Sequence, residues 1–406
     1  MTQNYQRIGN YISVVDNRNA DGNITKLMGI SIDKCYIQSV ANTIGTDLHN
    51  YKVINKGQFA CSLMQVSRDQ KIPVALYSSD NPAIMSPAYV LFEVTRTDSL
   101  LPEYLDLWFK RREFDREASF YAVGGVRGSL DWEDFCNMKL PVPSIDDQLK
   151  IVHAYQVITN RILLLKQINQ NLEAQSQALF TSWFINFDPF KHPIDEDGQP
   201  LPPQDWENGI LDSCIDFLNG YAFKSEDLLD EPTSDCFDVF KMGNIKKGGG
   251  LNYEGTKSWI ERKSCAGLER FVLSKGDILM SMTDMKENVA LLGHTALMDI
   301  DNRYIVNQRV GLLRPNGYLG ISPYQIYLLT NNPTFIQKLR RHAHIGVQVN
   351  LSKDDIVNAQ VTYAPEETNQ AFAKLVKPLF DSISHNNAEI LKLNEASMQI
   401  LALLSH

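Results

Sequence analysis

The residues that could do chemistry fall short of what catalysis needs. Gly250-Leu251-Asn252-Tyr253-Glu254-Gly255-Thr256-Lys257-Ser258 is one residue away from a G-x-x-x-x-G-K-[ST] phosphate loop. Such a loop works because glycine amides and a lysine converge on one phosphate. Thr256 puts the lysine out of step and no βα unit surrounds the stretch, so a basic, glycine-bearing hairpin loop is expected instead. Phe187-Asp188-Pro189-Phe190 lacks the second proline of an Asp/Asn-Pro-Pro-aromatic loop, whose carboxylate or amide accepts hydrogen bonds from a target amine. No glycine-rich cofactor loop follows a strand, and the segment reads as linker. His342 and His344 flank Ala343 with no further ligand cluster. The cysteines, Cys35, Cys61, Cys136, Cys214, Cys236 and Cys265, contain no C-x-x-C pair, which argues against a zinc site and a disulfide framework. No G-x-S-x-G elbow marks a nucleophile.

What remains are side chains suited to nucleic acid. Arg, Asn and Gln offer bidentate pairs to guanine or adenine, and Lys more often marks a phosphate. The formal charge of −9 over 406 residues is unfavourable for gripping phosphates. Local patches run against it. Between Asp238 and Lys275 eight basic residues face four acidic ones, and Lys110, Arg111, Arg112 and Arg116 form a second cluster. Solvated faces give the same pattern. The candidates for DNA contact, all on expected loops, are Arg68, Lys71, Arg127, Lys246, Lys247, Lys257, Asn307, Gln308, Arg309 and Gln348.

The elements that must position them are organised by two long helices. From Ile145 to Phe184 the positions Ile151, Tyr155, Ile158, Ile162, Leu165, Asn169, Leu172, Ser176, Leu179 and Trp183 advance by alternating fours and threes, a heptad stripe seeking another helix. Phe372, Val376, Leu379, Ile383, Asn386, Ile390, Leu393, Ser397, Ile400 and Leu404 repeat it at an offset of 221 residues. Gly125-Val126 matches Gly346-Val347 at the same offset, so the chain is a two-fold internal repeat of a globular segment followed by a long helix. If the helices pack antiparallel about a pseudo-two-fold, Asn169 falls opposite Asn386. The expected helix seam is Ile158, Ile162, Leu165, Asn169 and Leu172 against Leu379, Ile383, Asn386, Ile390 and Leu393.

Each globular segment mixes short β-type runs with a helix, Pro102 to Phe114 in the first copy and Pro323 to Leu339 in the second, which is α+β. The expected divisions are 1–144, a helix over 145–186, a proline-rich linker over 187–205, a second globular segment over 206–364 and a helix over 365–406. Ser144 with Asp147 should cap the first helix, and Pro378 should bend the second. The 44% hydrophobic and 21% charged composition is ordinary for a soluble protein. No apolar run approaches the roughly 20 residues of a spanning helix. MTQNYQRIGNYIS has no apolar signal region, so a cytoplasmic address and no membrane partner are expected.

Taken together, Phe114-Asp115-Arg116, Gly125-Val126-Arg127, Leu130-Asp131-Trp132-Glu133-Asp134-Phe135, Leu140-Pro141-Val142-Pro143 with Gln148, Trp206-Glu207, Asn219-Gly220-Tyr221-Ala222-Phe223-Lys224-Ser225 and Lys275-Gly276-Asp277-Ile278-Leu279 resemble the specificity (S) subunits of type I restriction-modification systems. The resemblance covers essentially the whole chain. It implies that 1–144 and 206–364 are target recognition domains, each reading half of a bipartite site in double-stranded DNA. The helices would pack antiparallel as conserved spacers and dock DNA adenine methyltransferase subunits, two of them, with a restriction subunit beyond. It also implies a non-catalytic chain without a cofactor or metal of its own, S-adenosylmethionine and ATP with Mg belonging to the partners. In the second copy Arg127 becomes Gln348, and Pro141-Val142-Pro143 becomes Thr362-Tyr363-Ala364. A DNA-independent coiled-coil adaptor stays open beside this reading.

Overall fold

The computed structural model describes residues 5–39, 47–122, 128–285, 289–346 and 348–404. The chain divides into two compact units, residues 1–165 with 389–406, and residues 166–388. Each contains one globular segment and a stretch of each long helix.

In the first unit the strands Ile12–Val15, Val90–Val94, Gln58–Cys61 and Val74–Leu76 form an antiparallel sheet in that spatial order. Gln58–Cys61 is buried throughout, which is why it reads as a continuous run with no polar alternation. The expected helix after Pro102 is two, Pro102–Phe109 and Arg112–Tyr121, each opening on extended backbone. They close an aromatic core in which Phe59 stacks on Phe92 at 5.0 Å and Phe109, Phe114 and Phe135 pack around them.

The second unit repeats this plan. Ile215–Asn219, Val310–Pro315, Ile278–Ser281 and Thr295–Leu297 pair in the equivalent order, also antiparallel. Pro323–Thr330 and Pro333–Arg340 replace the single expected helix, because Asn332 turns the chain and its side chain accepts the Thr334 amide to start afresh before Pro333. Outside this sheet the copies share a further pairing: Ala83–Met85 pairs antiparallel with Lys52–Ile54 and bridges Leu27 in parallel, as Tyr304–Val306 bridges Val272 antiparallel and pairs in parallel with Cys236–Phe240, which also pairs antiparallel with Trp259–Glu261.

The central helix runs Ile145–Phe184 and the C-terminal helix Glu366–Leu403. Ser144 takes the Asp147 amide at 3.3 Å, the cap expected from the sequence. The C-terminal helix continues unbroken through Pro378. Buried side chains pin both helix starts at matching positions. Gln148 donates to the carbonyls of Ser99 and Pro143 and accepts the Leu101 amide at 2.9 Å. Asn369, 221 residues on, donates to Leu319 and Ala364 carbonyls and accepts from Gln325 at 2.8 Å.

Within the first unit the helices run antiparallel. Ile162, Leu165 and Ile390 bury a common seam with Ile158 and Leu393 beside it, and Arg161 makes a two-pronged ion pair with Glu389 at 2.8 and 3.2 Å. Within the second unit Leu172, Leu179 and Trp183 meet Phe372, Val376, Phe380 and Ile383 in the domain core, and Leu379 is half-buried. Here Asn169 stands opposite Asn386, whose amide donates to it at 2.8 Å. Asn169 in turn donates to Asn387 at 2.9 Å, a partner outside the stripe.

The segment 187–205 is more than the linker its prolines suggest. Phe187 is buried, takes a left-handed backbone (φ 57°) and meets Trp206 edge-on at 5.2 Å, while Phe190 packs between Trp183 and Trp206. The aromatic residues of the Phe-Asp-Pro-Phe run supply enough apolar surface to fold the chain back onto the helix end, which proline content alone does not reveal.

Candidate nucleic-acid interface

The candidate residues gather best in the second unit, at one end of its four-stranded sheet. The register sets Asn219 opposite Gly311 and Ser281 opposite Val310. The turns after Asn219, before Val310 and after Ser281 therefore crowd together. Asn307-Gln308-Arg309 is the middle turn, and its backbone is tied on all sides. The Asn307 amide donates to Phe240, Gln308 to Tyr221 at 2.8 Å, and the Arg309 carbonyl accepts from Met282 at 3.0 Å. Gly220 fits only as glycine, because a Cβ there would lie 2.0 Å from the Asn307 carbonyl oxygen. That is the physical reason for the Asn219-Gly220-Tyr221 motif.

On this frame Gln308 and Arg309 are exposed, with no side-chain partner among the described residues. Arg309 holds φ at 73°, a conformation that arginine adopts at a cost. Asn307 is half-buried, and its Oδ1 is buried without a hydrogen-bond partner among the described residues. Gln348 joins the same end, since Thr283–Met285 pairs with Gln348–Asn350 and the Leu351 amide donates to Met282. Tyr221 and Phe223 form an aromatic pair beside the turn at 4.9 Å.

The lysines spread away from it. Lys257 precedes Ser258, whose carbonyl takes the Val239 amide, so it flanks the strand Cys236–Phe240 across from Asn307. Lys246 and Lys247 head the glycine-bearing turn expected in place of a phosphate loop. The Lys246 amide donates to the Gly250 carbonyl, and Gly248, Gly249 and Gly250 all take positive φ. All three lysines are exposed, and none makes an ion pair among the described residues.

The first unit offers less. Arg68 is bound bidentately by Asp69 at 2.7 and 3.1 Å, and Lys71 pairs with Asp33 at 3.1 Å. Arg127 lies outside the described residues, as do Gly125, Val126 and Val347. Half of the Lys110–Arg116 cluster is structural. Lys110 pairs with Asp106, and Arg111 is buried with its guanidinium 3.8 Å from the centre of the Trp108 ring. Arg112 and Arg116 are exposed.

Sequence reasoning missed Lys34, a buried ammonium paired with Asp115 at 2.8 Å and donating to the Phe109 carbonyl. Burial pulls its pKa down and Asp115 pushes back. Its contacts are far away in sequence, and no local signal marks it. Among the described residues no group of histidines, cysteines and carboxylates could hold a metal ion, and no helix is long and apolar enough to cross a membrane.

Residues 203–395 match the family described as type I restriction modification DNA specificity domain. The match spans the second globular segment and most of the C-terminal helix. It is 21% identical over 318 residues to the type I restriction enzyme MjaIX specificity subunit of Methanocaldococcus jannaschii, covering 73% of this chain and 67% of that one. The MjaVIII specificity subunit of the same organism is 24% identical over 287 residues, covering 68% and 63%. A crystal structure of the S subunit of a type I restriction-modification system from M. genitalium matches with a TM-score of 0.53 at 13% identity, over 99% of this chain and 96% of that one. That is a likeness of fold, and it extends over the repeated domains and both long helices of the S-subunit architecture.

Proposed function

We propose that this chain is a specificity subunit that reads a bipartite site in double-stranded DNA, one half with each globular segment, and carries no catalytic step itself. The observation that supports this most directly is the Asn307–Arg309 turn. A backbone fixed by neighbouring loops presents Gln308 and Arg309, exposed and without a side-chain partner among the described residues, from the end of the sheet. Such side chains can pair bidentately with adenine and guanine, at about 1–3 kcal/mol of discrimination per base. Lys246, Lys247 and Lys257 supply charge for the phosphate backbone. In the first unit, exchanging Asp69 for a phosphate would free Arg68 at little cost, because exposed ion pairs are weak.

In this reading the long helices dock two DNA adenine methyltransferase subunits and, through them, a restriction subunit. S-adenosylmethionine, ATP and Mg then belong to those partners. The formal charge of −9 is compatible with DNA binding if the partners share the positive grip. The test is site-specific duplex binding by the chain in complex with its methyltransferase. Alanine at Arg127, Asn307 and Arg309 together should abolish preference for the cognate site, and unchanged specific affinity would remove the loop assignment. A chain acting as a DNA-independent adaptor would leave the methyltransferase unable to select any sequence with or without those residues.

A further inference from the structure

Within the second unit a cavity of about 370 Å³ lies where the globular segment meets the helix pair. Its polar corner is built on Gly250, whose bare backbone leaves room beside Glu173 and Tyr327. A Cβ there would stand 3.5 Å from the Glu173 carboxylate and 3.6 Å from the Tyr327 hydroxyl. Neither group has a hydrogen-bond partner among the described residues. Its apolar wall is aromatic. The Phe380 ring stacks on Tyr324 at 4.8 Å and meets Tyr327 edge-on at 5.7 Å.

The other charges around the cavity narrow what could enter. Asp299 is taken by the Asn387 amide at 2.9 Å and by the Tyr253 hydroxyl, and Asp381 pairs with Lys377. Lys246 and Lys275 also line it without an ion-pair partner among the described residues. Glu173 is thus the one acid of the lining left without a partner among the described residues. Burial pushes its pKa up, and the charge of Lys246 only partly offsets that. A carboxylate so placed has no ion-pair partner among the described residues, and aromatic faces nearby favour a cation over an anion.

We propose that this cavity binds a small primary amine with an apolar or aromatic body. Its ammonium group would sit between Glu173 and Tyr327, and its body against Phe380 and Tyr324. This site is separate from the Asn307–Arg309 turn; Lys246 is common to its lining and to the proposed phosphate contacts, so the test is made without DNA.

Phenethylamine and 2-phenylethanol, the same body with and without the charge, test it by saturation-transfer NMR titration of the full chain. Phenethylamine should bind saturably and at least about tenfold more tightly than the alcohol, the factor expected of one charge-assisted hydrogen bond. Its affinity should rise with pH as Glu173 ionises. Glu173→Gln should remove the preference, and Lys246→Met, which deletes an opposing charge at an exposed position, should tighten amine binding. Absence of saturable amine binding, equal binding of the two probes, or a preference that survives Glu173→Gln would overturn the assignment, as would Lys246→Met leaving amine affinity unchanged or weaker. Each outcome is independent of whether the chain selects a DNA sequence.

Discussion

Arg309 combines an exposed guanidinium with a left-handed backbone that favours glycine, so strain and recognition can be separated at one position. Arg309→Gly should raise the stability of the second unit by about 1 kcal/mol in urea unfolding while lowering cognate-site affinity. Arg309→Ala should lose the affinity without the gain in stability. Equal stability of the two variants would show that the turn carries no strain. Glu173 gives a pH signature. Its folded-state pKa is raised by burial, so the stability it contributes is fully present below the ordinary glutamate value and is lost as pH rises through the raised one. Glu173→Gln should therefore be more stable than the wild type at neutral pH, with the difference vanishing in acid. A difference that grows as the pH falls would contradict the burial of that carboxylate. The types of Arg309 and Gln308 were legible in the sequence, but their freedom was not. Whether an arginine is free depends on its neighbours, and only Asp69 beside Arg68 is visible without a structure.

The long helices were the most legible elements, because a heptad stripe is a local pattern and the offset of 221 residues exposes its copy. The stripe even placed Asn169 against Asn386. It could not show the continuation, since Asn387 lies off the stripe. Asn169 donates to Asn387, whose amide reaches Asp299, and Asp299 accepts the Tyr253 hydroxyl. The polar layer thus runs from the helix seam into the globular segment of the second unit. Asn169→Leu should cost about 1–3 kcal/mol, because it leaves both Asn386 and Asn387 short of a partner. Adding Asn386→Leu should recover part of that, and a double-mutant cycle in thermal unfolding measures how much. Additive costs would mean that the layer is not a connected network. The helix starts carry a second layer of the same kind. Gln148→Ala removes the acceptor for the Leu101 amide at a fully buried site and should destabilise the first unit by about 1–3 kcal/mol. The fold-back at Phe187 and Phe190 was not legible, since prolines announce a break but not what the aromatic residues beside them will cover.

At the scale of the whole chain, the central helix is one uninterrupted element of 40 residues whose first half belongs to one compact unit and whose second half belongs to the other. The C-terminal helix is divided in the same way between Ala388 and Glu389. If the two helices set the gap between the half-sites, their length is the lever. One heptad inserted after Gln167 and another after Ala388 enter the two helices at matching layers of the antiparallel pair, beside the Asn169 layer. Seven residues preserve the 3.5-residue repeat, so every stripe position keeps its partner. Each helix lengthens by about 10 Å at roughly 1.5 Å per residue. That corresponds to roughly three base pairs at about 3.4 Å each. Three pairs also turn the duplex by about 100°, given roughly 10 pairs per turn, so the second half-site would present a different face unless the DNA twists. Binding should therefore weaken overall, with the residual optimum displaced to a longer gap. Affinity measured on duplexes in which only the gap varies decides the matter. An optimum that stays at the wild-type gap, in a variant whose circular dichroism shows the added helix, would mean that something other than these helices sets the distance.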